Sequence, residues 1–201
     1  SAGSGNVLVS IEEQGRDIEW RLSGESDFKP VPVRPPRLGQ VVFPAKRPFI
    51  LEVRNVGPNR LPSRARVGIE CAPTPEDQAF ASCLDIAGRM DSPAQAVAEM
   101  LRSRQPRCRA FLIHAAAAFV SARDFSELGI VLYTAAIEIW LSLDDRARAA
   151  AASLGLAERL TDLGKVTEAS AAIDRSIALA TAAGSLYYAA RAKTHKCILK
   201  E

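Results

Sequence analysis

Histidine, tryptophan and methionine are scarce in this sequence, since each occurs only twice in 201 residues. His114 and His195 have no His, Asp or Glu four residues away that would complete a metal-binding face on a helix. The sequence also has no G-x-S-x-G, no phosphate-binding glycine loop and no H-E-x-x-H. We therefore expect a protein that is not an enzyme and that needs no metal or cofactor.

Long apolar runs and strong net charge are also missing. No run approaches the ~18 apolar residues that a membrane span needs, and no basic leader precedes an apolar stretch. The formal net charge is +3, which is too small to indicate a nucleic-acid partner by itself. The cysteines Cys71, Cys83, Cys108 and Cys197 form no C-x-x-C pair, which indicates reduced, mostly buried thiols. Together these features predict a cytoplasmic protein without a membrane anchor.

The composition changes near residue 73. Ten of the twelve prolines lie at or before Pro75, whereas the alanine-rich runs all follow it. Up to Ala72, 11 basic and 8 acidic residues give a charge of +3, and the remaining 15 and 15 cancel. We therefore predict a β-rich domain over 6–73 and a helical domain over 74–201. Residues 1–5 are typical of an expression tag, so we expect the natural chain to begin earlier and to carry other domains.

Short strands with turns between them are predicted for the first part. Apolar and polar residues alternate over 6–12 and again over 17–22, and Gly15 suits a hairpin turn between the two segments. Four prolines within 29–37 indicate an extended loop or a sheet edge. Further strands are predicted over 41–43, 48–56 and 65–71. Five such strands favour a small antiparallel sandwich or barrel.

The run from Leu51 to Pro58, followed by a second strand, resembles the strand-turn-strand of immunoglobulin-like adhesion modules over about twenty residues. The same part of the chain is rich in cations. Phosphate contacts are predicted, as an alternative function, for a basic face built by Arg54, Arg60, Arg64 and Arg66. The competing interpretation is a solvated sheet edge whose charges discourage aggregation, and no aromatic residue interleaves with these arginines to stack on bases.

Helices are predicted for the rest of the chain. Thr74-Pro75-Glu76 and Asp91-Ser92-Pro93 have the capping residue and the first-turn proline that begin helices. Apolar spacing predicts long helices over 107–122, 125–143, 145–163, 166–183 and 185–201. Gly164 and Gly184 fall where a left-handed helix exit favours glycine. Such short turns force neighbouring helices to run antiparallel.

A sequence echo at forty residues relates Leu112–Ile139 to Ala152–Leu179. Small and large residues recur in order: Ala117, Val120, Gly129, Tyr133 and Ala136 in one copy, and Ala157, Leu160, Ala169, Ile173 and Ser176 in the next. These positions resemble the tetratricopeptide repeat family over residues 76–201. The chain departs from that family in having Asp124 in place of a turn glycine, Ser176 in place of alanine and a spacing of forty in place of thirty-four.

The resemblance implies an array of helical hairpins that binds another protein or peptide in a groove lined by the first helix of each hairpin. Partner contacts are then expected from His114, Ser121, Glu158, Thr161 and Asp162. We expect an adaptor or regulatory segment, and the apolar end of the last helix also suggests a homo-oligomer. The alternatives are a nucleic-acid-binding regulator and an accessory domain of a larger enzyme or of a signalling or defence protein.

Overall fold

The computed structural model describes residues 5–14, 18–24, 26–30, 38–45, 50–55, 64–71, 74–75, 80, 83, 93–121 and 126–199. This part of the chain is mostly helical and also contains antiparallel β-sheet, which are the elements of the predicted α+β class. The chain divides into two compact units, Ser1–Gly88 and Arg89–Glu201. The change in composition near residue 73 lies inside the first unit, and each unit is described separately below.

The first unit contains short strands, as the alternating pattern predicted. They are β1 Gly5–Gln14, β2 Ile18–Leu22, β3 Lys29–Pro30, β4 Leu38–Ala45, β5 Leu51–Asn55 and β6 Arg64–Cys71. They form two three-stranded antiparallel sheets with the orders β4-β1-β6 and β3-β2-β5. Pro30 lies on the edge strand β3, where a residue without an N–H is tolerated.

The predicted hairpin between β1 and β2 is wrong. Strand β1 pairs with β4 and β6, with Val9 opposite both Val41 and Ile69, whereas β2 pairs with β3 and β5. Alternation with a period of two defines the two faces of a strand but does not specify which strand pairs with it. The two segments therefore belong to different sheets although only a few residues separate them in sequence.

The second unit is built of six described helices. They are α1 Pro93–Arg102, α2 Pro106–Ser121, α3 Ser126–Ser142, α4 Arg146–Asp162, α5 Val166–Ala182 and α6 Leu186–Ile198. The helices α2 to α6 each begin within one residue of the predicted start. Within the described ranges, no helix has the length and apolar character needed to cross a bilayer.

Three turns between the long helices share one geometry. Asp144, Gly164 and Gly184 have φ values of 53°, 70° and 67°, and they follow one another at intervals of twenty residues. The amide of the next residue donates in each case to a carbonyl five residues earlier, at 2.9 Å in all three turns. This is the Schellman ending of a helix, which needs one left-handed residue. One helix and one turn thus form a unit of twenty residues, and two such units make up one period of the forty-residue echo.

The helices stack in sequence order. Each of α2 to α6 packs against its neighbours in the chain. Helices α2, α4 and α6 begin successive hairpins, and we call them the first helices. They also contact one another, α2 with α4 and α4 with α6. In the described part, any contact of α3 with α5, or of α2 with α6, is weaker than these. Such a series of neighbour contacts is that of an open stack, because a closed bundle would bring its first and last helices together.

Two of the four cysteines differ from the prediction. Cys83 and Cys108 are each disulfide-bonded, whereas Cys197 is free and exposed. The prediction that these thiols are reduced is therefore wrong for Cys83 and Cys108. A disulfide depends on the distance between two sulfur atoms in the folded chain, and the spacing of cysteines along the sequence does not report that distance.

Candidate functional site

The first helices α2 and α4 are buried over most of their circumference, which concentrates their accessible polar groups at the helix ends. On α4 the residues from Ala149 to Gly155 are all buried, because small side chains allow α3 and α5 to approach closely on two sides. Near its C-terminal end, Glu158 and Arg159 are half-buried and Thr161 and Asp162 are exposed. This end of α4 is the centre of the candidate site.

Ion pairs and hydrogen bonds join α4 to its neighbouring first helices. The Glu158 carboxylate lies 2.7 Å from Nη2 of Arg191 and 3.3 Å from Nε2 of His195, both on α6. Arg159 lies 2.7 Å from Asp162 and donates to the Ser121 carbonyl of α2 at 3.2 Å. We call these residues the Glu158 cluster: Ser121, Glu158, Arg159, Asp162, Arg191 and His195.

Tyr133 of α3 lies behind this cluster and anchors it in the core. Its ring packs against the backbone of Gly155, where an added Cβ would lie 2.5 Å from two ring carbons. Burial, together with the nearby Glu158 carboxylate, raises the pKa of Tyr133 to about 12. The phenol therefore stays protonated at neutral pH and adds no charge beneath the charged groups.

The predicted partner-binding residues separate into two groups. Glu158, Thr161 and Asp162 lie together at the accessible end of α4. His114 and Ser121 are buried inside the helical unit, so a partner does not reach their side chains in this structure. Helical periodicity placed all five on first helices, but it did not show that α3 covers the face that carries His114.

His114 is a core residue. Its ring makes an edge contact with Tyr133, with a centroid distance of 5.6 Å. Burial, assisted by the positive charge of Arg148, lowers the pKa of His114 to about 3, so the ring is neutral at physiological pH. We therefore leave His114 out of the surface proposed below.

Arg159, Arg191, His195 and Tyr133 belong to the site but were not selected from the sequence. Arg191 and His195 lie on a different helix from Glu158, and these pairs between α4 and α6 span 33 and 37 residues (158 to 191 and 158 to 195). A forty-residue echo relates equivalent positions, whereas salt bridges join non-equivalent ones. Only the packing of the two helices reveals them.

A cavity of about 670 Å³ lies at the opposite end of α4, lined by Arg107, Leu143, Asp144, Asp145, Arg146, Ala147, Ala182 and Ala183. The Asp145 side chain caps α4 by accepting from the Arg148 amide at 3.1 Å. Arg148 forms an ion pair with Asp145, its guanidinium lies 5.1 Å from the Trp140 ring, and burial lowers its pKa. The charges at this end are thus largely engaged within the protein.

Of the four arginines predicted to contact phosphate, only Arg54 has a described side chain. Arg54 lies 2.6 Å from Glu19 and 4.0 Å from the centroid of Phe28, which Arg21 also contacts at 4.3 Å. Arg64 and Arg66 lie on β6, with Arg66 opposite Glu12 of β1. Arg60 lies outside the described residues. The positive charge of Arg54 is thus neutralised by the Glu19 carboxylate, which weakens the attraction of this side chain to phosphate.

Within the described ranges, no group of three or more His, Cys, Asp or Glu side chains has an arrangement that could hold a metal ion. Comparison with protein-family models, with curated proteins and with solved structures finds no match to this chain.

Proposed function

We propose that the helical unit is a tetratricopeptide-like interaction module and that the protein is an adaptor or regulatory segment without catalytic activity. The observation that supports this most is the series of contacts from α2 to α4 to α6. A stack of helical hairpins has one surface where the first helices lie side by side, and the accessible end of α4 lies on it. A surface of this kind suits an extended or helical peptide.

The chemistry of the Glu158 cluster indicates the kind of peptide. Its carboxylates and guanidinium groups are already paired, Glu158 with Arg191 of α6 and Asp162 with Arg159 of α4 itself, so an incoming chain exchanges its own charges with existing ion pairs. Partly exposed ion pairs contribute little to stability, about 0–1 kcal/mol each, so this exchange costs little. We infer a ligand that carries both acidic and basic side chains. A polyanion such as nucleic acid would have to displace the carboxylates of Glu158 and Asp162 from the cations with which they pair.

The finer features of the fold belong to the same proposal. We propose that the two three-stranded sheets of the first unit face each other as a small sandwich of immunoglobulin-like type. We also propose a cytoplasmic location, although the disulfide state of Cys83 and Cys108 is more typical of an oxidising compartment. Trapping thiols in intact cells and finding Cys108 oxidised would decide against the cytoplasm.

The experiment uses a photo-crosslinking amino acid at Thr161, which is exposed beside the Glu158 cluster. The same group at Thr181, exposed on α5, is the control. We expect a discrete protein adduct from Thr161 and none from Thr181 in extracts of the source cell. Equal adducts from both positions would mean that the contact is unspecific.

Charge reversal then tests the residues. Glu158→Lys with Asp162→Lys is expected to reduce the Thr161 adduct at least tenfold, because it reverses the accessible acidic groups. Glu138→Lys with Glu168→Lys makes the same change of net charge on exposed positions of α3 and α5 and is expected to leave the adduct unchanged. Unchanged binding in the first double variant would refute the proposed surface.

A further inference from the structure

The face of α3 that lies away from the core carries a row of apolar side chains. Leu128 and Val131 are 49 % and 63 % exposed. Ala135 and Ile139 continue the row at intervals of four residues and are half-buried. Residues spaced by three or four lie on one side of a helix, so these side chains form one continuous stripe over three turns. We call Leu128, Val131, Ala135 and Ile139 the α3 stripe.

Helix α5 occupies the same place in the next hairpin and shows that the fold does not require such a stripe. Both helices are 17 residues long, and they begin forty residues apart (126 to 166). The residues of α5 at the four stripe positions are Glu168, Ala171, Arg175 and Leu179, and the first three are exposed. Charged side chains are thus accommodated at these positions. Packing within the hairpins therefore does not explain why α3 has only apolar residues there.

Two acidic side chains accompany the stripe. Glu127 and Glu138 are exposed, and no basic side chain of the described residues pairs with either carboxylate. They are eleven residues apart (127 to 138), which is close to three helical turns, so both lie along the same side of the stripe. Helix α3 contains no Lys, Arg or His. The helix dipole favours an acid in the first turn, as at Glu127, but gives no advantage to Glu138 in the second half of the helix. The exposed face of α3 thus combines apolar surface with two uncompensated negative charges.

We propose that the α3 stripe is a docking site for an amphipathic helix of a partner protein, one whose apolar face is flanked by lysine or arginine. Apolar side chains of the partner cover Leu128 and Val131, and its cations pair with Glu127 and Glu138. The stripe is about 16 Å long at 1.5 Å per residue, so the partner helix has at least three turns.

The two carboxylates also distinguish a basic helix from other occupants. Two copies of α3 packed face to face would bring four carboxylates together with no cation on either helix, which is unfavourable. An anionic membrane surface would repel the same groups. A basic amphipathic helix instead satisfies the apolar stripe and both charges at once. The stripe shares no residue with the Glu158 cluster, so either proposal can fail without the other.

The test uses a designed probe, a helical peptide with leucine at positions i, i+3, i+7 and i+11 and lysine on both sides of that stripe. A covalent staple on the opposite face keeps the peptide helical, because short isolated helices are marginal in water. Fluorescence anisotropy of the labelled peptide measures its Kd for the 201-residue protein. Two control peptides carry the same staple. One has glutamate in place of every lysine, and the other has serine in place of every leucine; both should bind at least tenfold more weakly.

Substitutions in the protein test the apolar part of the surface. Leu128→Ser with Val131→Ser should weaken binding of the lysine peptide at least tenfold, because it removes the exposed apolar side chains of the stripe. Leu163→Ser with Val166→Ser is the matched control. It removes the same two residue types from positions that are 39 % and 53 % exposed around the turn between α4 and α5, and it should leave the Kd unchanged.

Charge is tested by Glu138→Lys, which should weaken binding of the lysine peptide at least threefold and strengthen binding of the glutamate peptide. Glu168→Lys makes the same change of charge on α5 and should alter neither. The variant with both substitutions, which is the control for the Thr161 adduct, separates the two proposals. It should weaken binding of the lysine peptide and leave the Thr161 adduct unchanged.

Four results would overturn the proposal. The first is no binding at the highest soluble concentration of the lysine peptide, and the second is equal binding of the lysine and glutamate peptides. The third is self-association of the protein, seen by sedimentation equilibrium, that Leu128→Ser with Val131→Ser abolishes, since this would identify a second copy as the occupant. The fourth is binding to phosphatidylserine vesicles that the same variant abolishes. Circular dichroism of each variant confirms that the helices are intact before the Kd values are compared.

Discussion

Replacing Gly155 by alanine tests how closely α3 and α4 pack. The new Cβ would lie 2.5 Å from Cε1 and Cζ of Tyr133 and 2.8 Å from its hydroxyl oxygen. Favourable carbon–carbon contacts need about 3.5–4.0 Å, so one partner must move by about 1 Å. Tyr133 is buried and in edge contact with His114, which leaves its ring little room.

The expected loss of stability follows from two opposing effects. Overpacking a core costs about 1–3 kcal/mol, and a ring held on both sides places this case at the upper end. Alanine is a better helix former than glycine by about 1 kcal/mol. The net loss for Gly155→Ala is therefore about 2 kcal/mol, or about 4–8 °C in Tm for a chain of this size.

Urea denaturation followed by far-UV circular dichroism measures this difference. Gly129→Ala is the matched control. Its Cβ would lie 2.5 Å from the Ser121 hydroxyl, which can rotate away, and at ordinary contact distances of 3.5 Å and 3.8 Å from Arg159 Cγ and the Ala117 carbonyl oxygen, so we expect almost no loss. Adding Tyr133→Leu to Gly155→Ala should recover part of the stability in a double-mutant cycle. If Gly155→Ala alone is as stable as the parent protein, the close approach of α3 and α4 described here is incorrect.

Two further predictions concern the turns and the buried histidine. Asp144→Gly should raise the free energy of unfolding by about 0.5–1 kcal/mol, because φ is 53° at this position and glycine adopts a left-handed conformation without strain. Gly164→Asp should lower the free energy of unfolding by a similar amount for the same reason. Thermal unfolding of both variants measures these differences. Because the pKa of His114 is about 3 in the folded protein, the unfolded chain binds more protons between pH 6.5 and 3, and stability must fall as the pH drops through this range. The loss attributable to His114 is about 3 kcal/mol between pH 7 and 4.5, and His114→Leu, which copies Leu154 at the equivalent position of α4, should remove it in urea titrations at the two pH values. An unchanged difference between the two pH values would contradict the burial of a neutral imidazole.

The sequence by itself predicted the local features of the structure. Helix starts follow from capping residues and from proline in the first turn, as at Pro93, because these residues satisfy or remove amides at a helix N-terminus. The turns at Gly164 and Gly184 follow from the need for a left-handed residue. The forty-residue echo likewise predicted that helices and turns recur at equal intervals, since similar sequence units fold into similar structures.

Only the tertiary structure decided which elements meet. The pairing of β1 with β4 and β6, the burial of His114 and the ion pairs of Glu158 with α6 all join residues that are distant in sequence. An amphipathic pattern marks the face of an element that is to be covered, but the cover depends on the packing of the whole unit.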